Sequence, residues 1–210
     1  MSLATLRVSE FIDELSSSSP APGGGSVAAL SACLGTALTA MVCRLTIGKK
    51  KYTDVEQEMK DTEGKAIDLQ KKQLELMDRD TDAFNAVMGA FGMPKETEDQ
   101  KKLRHEAIQN ATRQATLVPL EVIERWRAAI SLADTVARKG NANARSDAGV
   151  SALLISAAAE AAFYNILINL GSLTDAPFVS STRTDAERLM ADVKKQASSI
   201  REHVLESIQG

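Results

Sequence analysis

Apolar residues recur every three or four positions along most of the chain, the period of one face of a helix. Leu6, Val8, Phe11, Ile12 and Leu15 predict a first helix over residues 5–15. The run from Ser16 to Gly25, with two prolines and three glycines, interrupts it with residues that favour loops. From Ser26 there is no charge until Arg44, and a helix is expected over residues 26–47, with Gly48 ending it. A basic knot, Lys49, Lys50 and Lys51, precedes a third helical stretch over residues 54–91. A fourth starts near Thr97 and carries Pro119, which should kink it or split it in two. The pattern resumes to Lys139 and stops at Gly140. Ser146 and Asp147 look like the start of a helix over residues 148–170. The sequence Thr184, Asp185, Ala186, Glu187 reads as a capping box opening a last helix to about residue 208.

No alternating run bounded by turns offers a strand, and no internal repeat is visible. The expected fold class is all-α, a multihelical bundle with long, partly interrupted helices, in a single domain over residues 1–210. Two of its helices are rich in Ala, Gly and Ser, which allow close backbone approach. They are the candidates for the bundle centre or a dimer seam.

Composition sharpens this picture. Hydrophobic residues make up 44% and charged residues 25%, the range of ordinary globular chains. Aromatics are only 4%, poor material for a many-stranded fold. A net charge of −3 argues against a general nucleic-acid binder, which is usually basic. The uncharged run from Ser26 is nearly long enough for a membrane span. It reads better as a core helix, since a helix apolar on all sides also suits a protein interior. No second clean span is expected. Cys33 and Cys43, ten residues apart on that helix, lie roughly 15 Å from each other along its axis, too far for a disulfide. They read as reduced thiols, which fits a cytoplasmic protein. The opening Met1, Ser2, Leu3 lacks the features of a signal peptide and resembles an expression remnant.

Four segments carry candidate chemistry. Gly23, Gly24, Gly25 and Ser26 stand at a helix start, where backbone N–H groups lack intrahelical partners and the helix dipole is positive. Such a terminus suits a carboxylate or an electron-rich ring; the plain alternative is a linker. In the acidic segment, Asp78 and Asp82 share one helical face, with Asp80 about 200° around from each. Leu76, Phe84 and Val87 mark a face near that of Asp80, which carries this carboxylate inward; the alternative is three solvated acids. Asn141, Ser146 and Asp147 crowd another helix start, where Ser146 or Asp147 also suits a simple N-cap. Asn165 and Asn169, four apart on an apolar helix, each need a partner, and a clamp between helices would supply one. The two histidines, His105 and His203, stand alone, no cysteine pairs with a histidine, and no metal-ligand spacing is present.

In this order the segments resemble a known family. Ala21 to Ala29, Gly48 with Lys49 and Lys50, Asp78 to Phe84, and Met93, Pro94 and Lys95 carry the likeness. So do Val118, Pro119 and Leu120, Gly140 and Asn141 with Ser146 and Asp147, Asn165 to Leu170, and Asp175. The chain resembles the methenyltetrahydrofolate cyclohydrolase and formiminotetrahydrofolate cyclodeaminase family over nearly its whole length. The resemblance implies a homodimer, a tetrahydrofolate derivative as substrate, no metal and no permanently bound cofactor. It also implies a catalytic aspartate in the acidic segment: Asp80, with Asp78 second. Gly23, Gly24, Gly25 and Ser26 would cradle the folate, and Lys49 and Lys50 would meet its acidic tail. Asn141, Ser146, Asp147 and Asn169 would bond the pterin or position water. The expected reaction is hydrolysis of 5,10-methenyltetrahydrofolate to 10-formyltetrahydrofolate. The alternative is ring closure of the formimino compound with release of ammonia, and a freestanding domain with no transferase half fits hydrolysis better. A helical scaffold without activity is the reading from another class; nucleic acid and membrane partners are not expected.

Overall fold

The computed structural model describes residues 2–209; Met1, part of the opening tripeptide, and Gly210 lie outside them. Six α-helices and three short 3-10 turns account for the regular structure of the described residues, with no strand among them. They are α1 (Val8–Leu15), α2 (Gly24–Thr46), α3 (Glu56–Phe91), α4 (Glu98–Lys139), α5 (Arg145–Leu170) and α6 (Ala176–Gln209). The two small-residue helices, α2 and α5, pack on each other; α3 closes over α2, α4 over α5 and α3, and α6 over α5 and α4.

The small residues set this arrangement. A Cβ on Gly35 would lie 2.7 Å from Ile155 Cγ1 and 3.0 Å from the Ser151 carbonyl. Only glycine lets the two backbones come so close. The buried hydroxyls on the seam find partners, as burial favours. Ser151 donates to the Gly35 carbonyl at 2.7 Å and shares a hydrogen bond with Thr39 at 2.8 Å. Thr36 bonds Gln73 of α3 at 3.0 Å. Cys33 and Cys43 are buried and unbridged. Burial pushes both thiols up, Cys43 to about 12, so the reactive thiolate is scarce at neutral pH.

Several expected boundaries are corrected. The first helix begins at Val8, with a 3-10 turn over Leu3–Thr5 before it. Helix α2 begins at Gly24, two residues before Ser26, and Gly48 ends the segment with a φ of 77° that favours glycine. Pro119 neither splits nor ends α4, which runs unbroken for 42 residues. Neither Ser146 nor Asp147 caps α5, which starts at Arg145 directly after a 3-10 turn over Ala142–Ala144. The last helix starts at Ala176, not at the Thr184 box. Asp175 Oδ1 accepts from the Phe178 N–H at 3.1 Å, and Pro177 fits the first turn, where no N–H is needed. Thr184 is mid-helix and donates to the Ser180 carbonyl one turn back.

Among the described residues two helices, not one, are long and apolar enough to cross a membrane: α2, and the stretch Ala142–Leu170 that contains α5. Within the bundle each packs on the other. Leu34 and Leu45 of α2 and Val150, Leu153, Tyr164 and Ile168 of α5 nevertheless remain exposed.

Candidate active site

The start of α2 has no side chain to cap it, because its N-cap residue is Gly23. A carboxylate from another helix takes that place. Ser26 Oγ donates to Asp80 Oδ2 at 3.0 Å, and the Ser26 backbone N–H bonds the same carboxylate. The approach is possible only because residue 25 is glycine. A Cβ there would lie 2.0 Å from Asp80 Oδ1. Ser26 is fully buried and is also held near Met77 and Thr81 of α3.

Opposing influences act on this carboxylate. Burial penalises its charged form, while the two Ser26 bonds and the positive helix end favour it. Burial prevails, and the Asp80 carboxyl is pushed above its ordinary 3.8. The result is a group able to hold and release a proton closer to neutrality than a surface aspartate.

Asp80 opens on a cavity of about 240 Å³, lined also by Gly23, Gly24, Gly25, Phe84, Val87, Asn165 and Asn169. Its floor is the start of α2, and α3 and α5 form facing walls. The other two acids of the segment do not reach it. Asp78 accepts the Leu3 N–H at 2.7 Å and ties down the N-terminal turn, and Asp82 is exposed. The neighbouring Arg79 pairs with Glu121 of α4 at 2.7 Å, and Arg125 holds the same acid. Burial alone would lift Glu121, but hydrogen bonds from Arg125 and Arg79 outweigh it and keep its carboxyl low. This cluster fixes the register of α3 on α4 beside Asp80.

Of the expected site residues, the structure brings together Gly23, Gly24, Gly25, Ser26, Asp80 and Asn169. It sets apart Lys49, Lys50, Asn141, Ser146 and Asp147, which lie at the opposite end of the α2–α5 pair. At about 1.5 Å per residue, the 23 residues of α2 separate the two ends by roughly 35 Å. Asn141 is engaged within the chain. It donates to the Leu45 carbonyl at 2.8 Å, so capping the end of α2, and accepts from the Asn143 N–H at 3.1 Å. Lys49, Lys50 and Ser146 are exposed and Asp147 is half-buried, none of them on this cavity. Asn165 is a polar lining residue left out of the expected set, although its place on one face with Asn169 was a usable signal. Ala115, another lining residue, stands four positions before Pro119.

Residues 7–188 match the family described as Formiminotransferase-cyclodeaminase. The chain belongs to that family. It is 41% identical over 202 residues to a methenyltetrahydrofolate cyclohydrolase of Methylorubrum extorquens, covering 96% of this chain and 95% of that one. It is 35% identical over 195 residues to a formimidoyltransferase-cyclodeaminase of Rattus norvegicus, of which the match spans 36%. A crystal structure of a formiminotetrahydrofolate cyclodeaminase from Thermotoga maritima superimposes with a TM-score of 0.87 at 29% identity, over 97% of this chain and 98% of that one. The multihelical bundle is thus the family's fold.

Proposed function

We propose that the chain is a methenyltetrahydrofolate cyclohydrolase, and that Asp80 performs the proton transfers. One observation carries the assignment of the site: a half-buried carboxylate with a raised proton affinity faces a cavity at a helix start. Full-length similarity to a cyclohydrolase supports the reaction. The bridging carbon of 5,10-methenyltetrahydrofolate is part of an amidinium cation. Water adds to that carbon and gives up a proton to Asp80, forming a neutral adduct. The bond from carbon to N5 then breaks as N5 takes the proton held on Asp80. The hydroxyl loses its own proton to solvent to become the formyl carbonyl, and neutral 10-formyltetrahydrofolate leaves. A carboxylate beside the carbon also offsets its positive charge.

The alternative is the cyclodeaminase reaction, favoured by the Thermotoga maritima relative. There N10 attacks the formimino carbon, Asp80 supplies a proton to the amine, and ammonia leaves as the ring closes. An acid with raised proton affinity suits that step as well as it suits the reverse role. The methenyl compound absorbs in the near ultraviolet, which decides between them. Its disappearance on adding the protein identifies hydrolysis; its appearance from the formimino compound, with ammonia, identifies deamination. Neither change, together with no folate-induced rise in melting temperature, would leave a helical scaffold as the better reading.

A cavity of about 240 Å³ is smaller than the roughly 300–1,000 Å³ of sites that enclose a drug-sized ligand. It accommodates a ring, and the glutamate tail extends beyond it. The exposed apolar residues of α2 and α5 support a homodimer through this face. With the two copies antiparallel, the Lys49 and Lys50 end of one chain lies near the cavity of the other, where the lysines meet the acidic tail. Light scattering should give twice the chain mass. We further propose a cytoplasmic enzyme that works without a resident metal or cofactor.

A further inference from the structure

Helix α3 carries side chains into two separate cavities. Asp80, Phe84 and Val87 face the cavity at the start of α2. Asp78, Thr81 and Asp82, with Ser2 and Leu3 of the N-terminal segment, line a second cavity of about 260 Å³. No residue lines both. Thr81 stands about 100° round the helix from Asp80. Asp82 is exposed, so the second cavity meets solvent.

Two hydroxyls join the cavities. Ser26 Oγ lies 3.0 Å from Asp80 Oδ2 and 3.3 Å from Thr81 Oγ1. Ser26 is itself fully buried, so its hydroxyl can accept from one of these neighbours while donating to the other. The Thr81 hydroxyl is not engaged in the way usual for this chain. Thr36, Thr39, Thr46, Thr116 and Thr184 each donate to the carbonyl four residues earlier, a common bond for threonine inside a helix. Thr81 makes no such bond; the Met77 carbonyl it would use lies 3.3 Å from Ser26 Oγ instead.

Hydrolysis of the methenyl cation to a neutral product releases one proton per turnover, and a ring bound over Asp80 would stand between that carboxylate and the mouth of its cavity. We infer that Ser26 and Thr81 carry this proton from Asp80 to the second cavity, an inference that rests on the folate reaction proposed above. The carboxylate freed by proton transfer to N5 takes the proton of the adduct hydroxyl as the formyl carbonyl forms. Asp80 then gives it to Ser26 Oγ, Ser26 gives its own to Thr81 Oγ1, and Thr81 releases its own to solvent. Each hydroxyl gains one hydrogen and loses one, and Asp80 ends as it began. Deamination of the neutral formimino compound takes a proton up, and the same path then runs inward. Thr81 touches no substrate in this scheme; it is a positioning residue acting through Ser26 and Asp80.

The test is steady-state turnover of the methenyl compound, or of the formimino compound if that is the substrate, in H₂O and in D₂O. Thr81→Val keeps the shape of the side chain and removes its hydroxyl. Its kcat should fall about tenfold with KM little changed, and Thr81→Ser should recover most of that loss. Proton passage then limits the valine variant, so its ratio of kcat in H₂O to kcat in D₂O should exceed that of wild type. Should Thr81→Val fail to fold, Thr81→Ala, which also lacks the hydroxyl, takes its place. A wild-type kcat in the folded variant would overturn the relay alone. So would a loss that Thr81→Ser shares, or an isotope ratio that stays at the wild-type value. A wild-type kcat in Asp80→Asn, or no turnover by the wild-type protein, would instead overturn the reading on which the relay rests.

Discussion

At the scale of single residues, Asp80 is costly to the fold and suited to chemistry. Its proton affinity in the native state exceeds its ordinary value of 3.8 because of burial, against the opposing bonds from Ser26. The native state therefore binds more protons than the unfolded chain between those two values. Its contribution to stability is fully present below the ordinary value and is lost as pH rises through the native one. At neutral pH the ionised Asp80 works against folding. Asp80→Asn, nearly isosteric and uncharged, should be at least as stable as wild type at pH 7, with the advantage shrinking toward pH 4. Urea unfolding at a series of pH values measures this, and a variant clearly less stable at pH 7 would contradict it. The same raised affinity predicts that hydrolysis weakens on the acid side at a pH above 3.8, where Asp80 becomes protonated and ceases to act as a base. Gly25→Ala tests the geometry from the other partner. Its Cβ would fall 2.0 Å from Asp80 Oδ1, so the carboxylate must move and turnover should drop by at least about tenfold, with the helical circular dichroism unchanged.

At the scale of elements, close approach of α2 and α5 is the feature on which the bundle depends. Gly35→Val should push Ile155 and the Ser151 carbonyl away and destabilise the protein by about 1–3 kcal/mol. Trp126 is the one tryptophan and is fully buried, so its fluorescence reports the shift in urea midpoint. A midpoint equal to wild type would show that the seam yields without strain. The helices themselves were legible in the sequence, because a 3.6-residue period survives in each. Their ends were less so, for reasons found outside the local sequence. Gly24 and Gly25 read as loop, yet they form the first turn of α2 because α3 and α5 close against them. Pro119 read as a break, yet Asn169 from α5 takes the carbonyl it strands. Thr184 to Glu187 has the composition of a helix start, but Asp175 had already supplied the cap nine residues before.

At the scale of the whole molecule, the site is an assembly of helix ends and middles that no single segment announces. The glycine segment and Asp80 were visible because an unpaired helix start and an inward acid each demand a partner, and in the fold each is the other's. Lys49 and Lys50, with Asn141, Ser146 and Asp147, were expected in the same site. Sequence order does not reveal that α2 and α5 carry them to the opposite end of the bundle. Asn165 was overlooked in turn because an asparagine on an apolar face reads first as a clamp between helices. The central claim is that the Asp80 carboxylate acts on the cationic carbon of a folate ring bound at the start of α2. Its most direct test is the steady-state loss of methenyl absorbance with Asp80→Asn beside wild type, with melting temperatures measured on the same samples. The account predicts a kcat lower by about 100- to 10,000-fold at an undiminished melting temperature. A kcat within fivefold of wild type in the folded variant would contradict it.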